Sequence, residues 1–199
     1  GISLLLIERE REGFTRTSLK KQGWWASDTA ALYFDDVRVP VENLIGEENK
    51  GFVGIMNNFN NERLWMAASA NALARVCLED ALAWARERQT FGQRLADHQV
   101  IRHKIVEMTR QISATQAWLE QCAQRVNDGE SPVADLSMLK VQSTLTMEFC
   151  AREAMQILGG AGYMRGCRVE RIYREVRVMA IGGGSEEIMR DLVARQMGI

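Results

Sequence analysis

Glu62 is a candidate residue for proton transfer. It lies in the segment Asn60-Asn-Glu-Arg-Leu64, inside a predicted long helix and flanked by apolar residues. A carboxylate near an apolar face can act as a general base towards a neighbouring ligand. The alternative is a surface glutamate that pairs with a neighbour on the same helix, and the spacing alone favours that alternative.

A second candidate site is the segment Arg86-Glu-Arg-Gln-Thr-Phe-Gly-Gln93, at the end of a predicted helix. The guanidinium fork of Arg88 matches phosphate oxygens, and the ring of Phe91 can pack on a flat ligand. These residues predict a phosphate-bearing ligand. Arginines at a helix end also complement the helix dipole in solvent, and the segment alone favours this simpler interpretation.

Two glycine-rich segments follow, Gln156-Ile-Leu-Gly-Gly-Ala-Gly-Tyr163 and Ile181-Gly-Gly-Gly-Ser-Glu-Glu-Ile188. Glycines let a backbone approach a ligand closely, or simply turn the chain. The first segment is typical of a helix C-cap, because a helix precedes it and the strand of a dinucleotide fingerprint is missing. In the second, Ser185 predicts the N-cap of the last helix, whose exposed N–H groups can receive an anion.

The composition gives no support for several classes of partner. The net charge of -1 over 199 residues provides no basic excess for nucleic acid or an anionic membrane. No apolar run reaches the ~18 residues of a membrane span. The cysteines form no CxxC pair and have no histidine at metal-ligand spacing, which predicts reduced, mostly buried thiols of a cytoplasmic protein and no metal site. They are Cys77, Cys122, Cys150 and Cys167.

Residues 1–47 are strand-like. The run Ile2–Ile7 predicts a buried strand, Ala30–Phe34 favours a pleated surface, and Val37–Val39 predicts a further strand that Pro40 ends. Two or three strands do not form a stable sheet alone, so they are predicted to belong to a larger β-domain. Because the sequence opens inside a predicted core strand, we expect more of that domain to precede it.

From residue 48 to residue 199 the hydrophobic period is that of helices. Apolar residues recur at spacings of three and four between Ile101 and Val126, which places them on one helix face. The sequence therefore predicts a mainly α fold, a C-terminal bundle of about five helices after a partial β-domain of two or three strands. The predicted helices cover residues 50–87, 97–127, 131–158, 168–176 and 185–197.

The order of these segments resembles that of the acyl-CoA dehydrogenase family. Residues Asp28–Gly46 resemble the last strands of that family's middle β-domain and the exit into its C-terminal bundle. Arg86–Gly92 is similar to its R-x-x-F-G segment, and Gln156–Tyr163 to its Q-x-x-G-G-x-G-Y segment. The likeness extends over essentially the whole chain. It implies an FAD-dependent enzyme that desaturates acyl-CoA thioesters between Cα and Cβ.

The resemblance also implies how cofactor and subunits are arranged. The family forms a tetramer, a dimer of dimers built on the C-terminal bundles, and a neighbouring subunit holds the ADP part of each flavin. Carried over residue by residue, one set lies at the diphosphate and nearby FAD, a second cradles the ADP part, and a third contacts the flavin at the start of the last helix. The first set is Arg88, Thr90, Phe91, His98 and Gln99, the second Gln156, Gly159 and Gly160, and the third Gly184, Ser185 and Glu186.

The general base departs from the commonest pattern of the family. Many members carry it as the Glu of a Tyr-Glu-Gly-Thr segment, and Gly183 stands at that position here. Long-chain and isovaleryl-type members place the Glu on the first long bundle helix, just before an Arg, and Glu62-Arg63 matches that arrangement. The resemblance therefore implies Glu62 as the base, with Asn60, Asn61, Arg63 and Gly183 around the substrate.

In the family a carboxylate removes the α-proton of the thioester while hydride moves from Cβ to flavin N5. Electrons then pass to an electron-transfer flavoprotein, as in fatty acid β-oxidation, in the cytoplasm or in the mitochondrial matrix of a eukaryote. Two alternatives stay open: related flavin oxidase chemistry, or a helical oligomerisation and ADP-binding module without activity in this piece. Trp65 and Met66, which follow the presumed base, either narrow the acyl pocket or belong to the core, and the pattern favours the core.

Overall fold

The computed structural model describes residues 1–199, except for the side chain of Asn57. The chain divides into two units, Gly1–Phe59 and Asn60–Ile199. The predicted domain boundary between residues 47 and 48 marks the change from strands to helices and stays a prediction.

The four strands of the first unit form two antiparallel pairs, the first with the fourth and the second with the third. In the longer pair Phe14 lies opposite Phe34, and their ring centroids are 5.2 Å apart. The predicted strand Ala30–Phe34 is confirmed. Aromatic residues favour such cross-strand contacts. The strands are β1 (Leu4–Leu5), β2 (Phe14–Ser18), β3 (Ala30–Phe34) and β4 (Leu44–Ile45).

The predicted buried strand Ile2–Ile7 is wrong in extent and in burial. Only the two residues of β1 form a strand, and Ile2, Leu5 and Leu6 are each about half exposed. The partner strand β4 is equally short, so this segment gains few ladder hydrogen bonds and little cover within the chain.

The predicted strand Val37–Val39 is also wrong, because these residues form irregular coil. A bend precedes them, where Asp36 has a φ of +48° and interrupts the extended backbone. Strand β2 was not predicted, because its residues Phe-Thr-Arg-Thr-Ser lack the alternation of apolar and polar side chains.

Helices make up most of the second unit, and the predicted mainly α fold with about five long helices is confirmed. The fourth long helix continues to Ile181 rather than ending at Val176, since no Gly or Pro interrupts it before Gly182. A short hairpin follows the first helix, and a single helical turn follows the third. The elements are α1 (Gly51–Glu87), β5 (Gln89–Thr90), β6 (Gln93–Arg94), α2 (Gln99–Asn127), α3 (Val133–Leu158), α4 (Gly160–Tyr163), α5 (Arg168–Ile181) and α6 (Glu186–Met197).

The interior of the bundle combines a small-residue face of α1 with larger side chains of α2 and α3. Small side chains let helix backbones approach closely, and the predicted apolar face of α2 is confirmed by its buried residues. The buried face of α1 carries Ala67, Ala70, Ala74, Cys77, Ala81 and Ala85, each 0% exposed. The buried residues of α2 are Met108, Ile112, Thr115 and Cys122.

The cysteines are free thiols. Cys77, Cys122 and Cys150 are buried as predicted, whereas Cys167 is partly exposed. Burial raises the pKa of all three buried thiols, that of Cys150 to about 12, so they stay protonated and unreactive. Across the described part of the chain, no cluster of three or more His, Cys, Asp or Glu residues could hold a metal ion, and no helix is both long and apolar enough to cross a membrane.

Candidate active site

Glu62 and Arg63 are neighbours on α1 but face different surroundings. Arg63 is 6% exposed, whereas Glu62 and Asn61 are exposed. The Arg63 guanidinium donates from Nη1 to Asn60 Oδ1 at 3.1 Å and from Nε to the Gly183 carbonyl at 3.4 Å. Burial lowers the pKa of Arg63. The structure therefore brings Asn60, Arg63 and Gly183 together, and Glu62 is the exposed neighbour of Arg63 on the same helix turn.

Residues 182–185 form the turn between α5 and α6, and glycines shape it. Gly183 and Gly184 have φ values of +67° and +108°, which L side chains rarely adopt. A Cβ on Gly183 would lie 2.7 Å from Met66 Sδ, and a Cβ on Gly184 would lie 2.4 Å from Met189 Cε. Residues 182–184 of the turn therefore present backbone only, and position 183 carries no side chain that could accept a proton.

The start of α6 follows the turn directly. Ser185 is the N-cap as predicted, since its Oγ accepts a hydrogen bond from the Ile188 N–H at 3.4 Å. Glu186, in the first helical turn, pairs with Arg190 at 2.9 Å. Hydrogen bonds from its own backbone N–H and from Ser185 lower the pKa of Glu187. This end of α6 thus has two carboxylates where the helix dipole favours negative charge.

Lys140 of α3 is a charged residue at this turn that was not predicted from the sequence. It is 0% exposed, and its Nζ donates to the Ala180 carbonyl at 3.0 Å and to the Gly184 carbonyl at 2.7 Å. Burial lowers the pKa of Lys140 to about 8, against the opposing effect of the Glu186 carboxylate. Its neighbours Leu136 and Leu139 on α3 are also buried, so Lys140 lies within the buried face of that helix.

The residues predicted to lie at the FAD diphosphate are in and next to the hairpin of β5 and β6. Phe91 and Gly92 at its tip have φ values of +51° and +80°, the positive values that a type I′ turn requires. The Phe91 ring is 98% exposed and meets the His98 ring edge-on, with centroids 6.3 Å apart. Thr90 Oγ1 lies 3.0 Å from His98 Nε2. Arg88 and Gln99, at the two ends of this segment, are exposed.

The residues predicted to cradle the ADP part, Gln156, Gly159 and Gly160, lie where α3 ends. Gly159 has a φ of +58° and a ψ of -134°, a conformation that is essentially restricted to glycine, and it is the predicted C-cap of α3. A Cβ on Gly159 or Gly160 would meet no atom within 4 Å. These exposed glycines leave open space beside the backbone, next to the exposed side chain of Gln156.

Known proteins with similar sequences identify the family of this chain. The family model described as the acyl-CoA dehydrogenase C-terminal domain matches residues 49–198. The chain belongs to the acyl-CoA dehydrogenase family. It is 42% identical to acyl-CoA dehydrogenase AFT10-1 of Alternaria alternata, over 96% of this chain and 47% of that protein. It is 37% identical to the mitochondrial long-chain specific acyl-CoA dehydrogenase of Rattus norvegicus, over 99% of this chain and 46% of the relative.

Solved acyl-CoA dehydrogenase structures share the fold. A probable acyl-CoA dehydrogenase from Mycobacterium abscessus superimposes with a TM-score of 0.96 and 46% sequence identity, over 98% of this chain and 52% of that one. The chain thus spans about half the length of the relatives that it matches.

In this dehydrogenase-family chain, Trp65 and Met66 follow Arg63 on α1 and divide between core and surface. Met66 is 7% exposed and belongs to the core, as the apolar pattern favours. Trp65 is 60% exposed, so the same prediction is wrong for it. Successive residues of a helix point in different directions, which separates a Met in the core from a Trp on the surface.

Proposed function

We propose that the full-length protein containing this chain is an FAD-dependent acyl-CoA dehydrogenase that uses Glu62 as its general base. The observation that carries this proposal is the hydrogen bond from Arg63 to the Gly183 carbonyl. It ties the helix turn that bears Glu62 to the position where many family members carry the base. A carboxylate on α1 can therefore accept the substrate proton in place of a carboxylate on the turn.

The shape of the turn supports the relocation of the base. A side chain at position 183 would need a left-handed backbone and would overlap Met66 Sδ. Since Gly183 cannot transfer a proton, the acceptor has to come from a neighbouring element. Glu62 is an exposed carboxylate one residue from the buried Arg63 that reaches the turn, so it is the residue of α1 best placed for that role.

The residues fit FAD as the cofactor. The Phe91 side chain is almost fully exposed, and its backbone is left-handed. Backbone strain of this kind is typical of binding sites. The open backbone at Gly159 and Gly160 suits close approach of a ligand. Arg88, Thr90, Phe91, His98 and Gln99 would hold the diphosphate region, Gln156, Gly159 and Gly160 the ADP part of a neighbouring subunit's cofactor, and Gly184, Ser185 and Glu186 the flavin itself.

In this mechanism Glu62 accepts the α-proton of the acyl-CoA thioester. When bound, the flavin supplies the acceptor for the Cβ hydride. Arg63 orients the helix turn of Glu62 through its bonds to Asn60 and to the Gly183 carbonyl. Asn60 and Asn61 line the approach of the substrate on the same helix turn. The negative charge that develops on the thioester oxygen requires hydrogen-bond donors in the active site.

The assembly follows from the same proposal. We propose a dimer of dimers built on the helical bundles, with an electron-transfer flavoprotein as electron acceptor and fatty acid β-oxidation as the setting. A bacterial protein would act in the cytoplasm and a eukaryotic one in the mitochondrial matrix.

The substitution Glu62→Gln in the full-length protein tests the assignment of the base. Glutamine keeps the size and polarity of the side chain but does not accept the α-proton. We expect flavin binding to be retained and anaerobic bleaching of the flavin by acyl-CoA to slow by about 10²–10⁴-fold, the usual contribution of a general base. Stopped-flow absorbance with acyl-CoAs of several chain lengths measures the rate.

The matched control is Glu79→Gln, which changes another exposed glutamate of α1 and should leave bleaching unchanged. Equal bleaching rates in the Glu62→Gln variant and the wild type would remove Glu62 as the base. If the flavin of the wild-type protein is bound but no acyl-CoA bleaches it, the protein carries out other flavin chemistry.

A further inference from the structure

Lys140 is a fully buried lysine whose ammonium is bonded to two backbone carbonyls. Its Nζ lies 3.0 Å from the Ala180 oxygen and 2.7 Å from the Gly184 oxygen, and the side chain is 0% exposed. Lysine is almost never fully buried unless its charge is partnered, because desolvation of an ammonium is costly. The hydrogen bonds to these two carbonyls therefore offset part of the cost of burying the ammonium.

The two carbonyls belong to the end of α5 and to the turn that follows it. Ala180 is in the last turn of α5, where the final carbonyls have no partner within the helix. Gly184 immediately precedes Ser185, the N-cap of α6. One ammonium from α3 thus connects the end of α5 to the start of α6, and a cation near a helix C-terminus is favourable.

A second cation holds the same turn from another helix. Arg63 of α1 donates to the Gly183 carbonyl, which lies between the two carbonyls held by Lys140. The charged groups that act on Lys140 are Glu186, which favours the ammonium, and Arg63, which disfavours it. The three glycines of the turn have no side chains of their own, so cations from α1 and α3 hold its backbone.

We propose that Lys140 is a positioning residue, which fixes the turn through the Ala180 and Gly184 carbonyls so that its backbone is preset for the substrate and flavin. The identity of these ligands rests on the proposed function, whereas the contacts of Lys140 do not. Lys140 acts through the turn and takes no part in proton transfer.

The test compares three variants of the full-length protein with its flavin. Lys140→Met keeps the length of the side chain but removes all donors, and Lys140→Arg keeps a charged donor. Ser143→Ala is the control, since Ser143 is buried one helical turn further along α3 and donates only to the Leu139 carbonyl of its own helix. Hydrogen exchange by mass spectrometry measures protection of residues 181–188. Anaerobic bleaching measures the limiting rate and the half-saturating acyl-CoA concentration.

Lys140→Met should increase exchange of residues 181–188 selectively, with α3 and the rest of α5 unchanged. The limiting bleaching rate should fall by at least about tenfold, because a displacement of ~1 Å can cost ~10²-fold in rate. The half-saturating acyl-CoA concentration should change much less than the rate. Lys140→Arg should recover part of both losses, and Ser143→Ala should show neither.

Unchanged exchange of residues 181–188 in Lys140→Met would overturn the proposal. So would a loss of protection spread evenly over the bundle with a wild-type bleaching rate per bound flavin, since Lys140 would then be only a core residue. If no acyl-CoA bleaches the wild-type flavin, the proposed function fails, and the exchange data alone still decide for or against Lys140.

Discussion

A side chain at position 183 would be unfavourable for two separate reasons. The φ of +67° is a conformation that L residues rarely adopt, and a Cβ would come within 2.7 Å of Met66 Sδ. Gly129, at the end of α2, shares only the first cost: its φ is +87°, but a Cβ there would meet no atom within 4 Å. The two glycines therefore separate backbone strain from steric overlap.

Gly183→Ala should destabilise the protein more than Gly129→Ala. A left-handed alanine costs about 1 kcal/mol at either position. At position 183 the Met66 side chain must also move, which adds to that cost. Urea unfolding of both variants and the wild type measures the free energies of unfolding. Equal losses would mean that Met66 moves aside freely and that the turn could accept a side chain.

Lys140 should make stability depend on pH. Its pKa in the folded chain is about 8, below the usual 10.5, so between these values the unfolded chain binds more protons than the folded chain. Stability therefore rises with pH across that window, and the full cost of the buried charge is present below pH 8. Relative to Lys140→Met, the wild type should gain about 2 kcal/mol between pH 7 and pH 10 in urea unfolding. A difference that is constant with pH would show that Lys140 titrates normally.

The candidate residues differed in how well the sequence indicated them. Glu62 and Arg63 could be predicted because they match a family arrangement and Gly183 lacks the alternative base. Lys140 could not, because a lysine near an apolar stripe usually extends its ammonium to solvent along the protein surface. Its burial depends on carbonyls of α5 and the turn, about 40 residues away in sequence, which no local pattern encodes.

Among the elements, the β5–β6 hairpin keeps an unfavourable residue at its tip. A two-residue turn with both φ values positive favours Asn-Gly, and here Phe91 takes the first place with its ring 98% exposed. A bulky residue in a left-handed conformation is a true outlier, so folding alone does not explain it. A ligand that covers the ring would.

Phe91→Asn should therefore separate stability from cofactor binding. Asparagine tolerates the left-handed conformation, so the free energy of unfolding should increase by about 0.5–1 kcal/mol in the flavin-free protein. Loss of the ring should weaken FAD binding by up to about tenfold, the usual worth of an aromatic contact. Fluorescence titration of the apoprotein measures the latter. A variant that binds FAD as tightly as the wild type would remove Phe91 from the cofactor site.

The long helices could be predicted and the short strands could not. From Ile101 to Val126 the apolar spacing repeats over many turns, which leaves little ambiguity. The strand pairs are two or five residues long, and their residues are mostly exposed within the chain, so burial left no clear pattern at Ile2–Ile7 or in β2. Such elements depend on which surfaces cover them more than on their own sequence.

At the scale of the whole molecule, the chain covers about half the length of its relatives. The 199-residue chain alone should therefore fail to bind FAD at micromolar concentrations, whereas the full-length protein should bind it. Isothermal titration with FAD and with ADP measures both, and circular dichroism verifies that the bundle is folded. Stoichiometric binding by the chain alone would instead support an ADP-binding module.

The length of α1 has a genetic consequence. From Glu62 to Glu87 the helix rises about 38 Å, which separates the proposed base from the Phe91 hairpin within one protomer. In the dimer of dimers proposed above, we expect a protomer's base and its hairpin to serve different cofactors. Two alleles, one lacking the base and the other lacking the hairpin ring, would each fail alone, yet mixed oligomers would contain some complete sites. Such a pair would show complementation between alleles of a single gene.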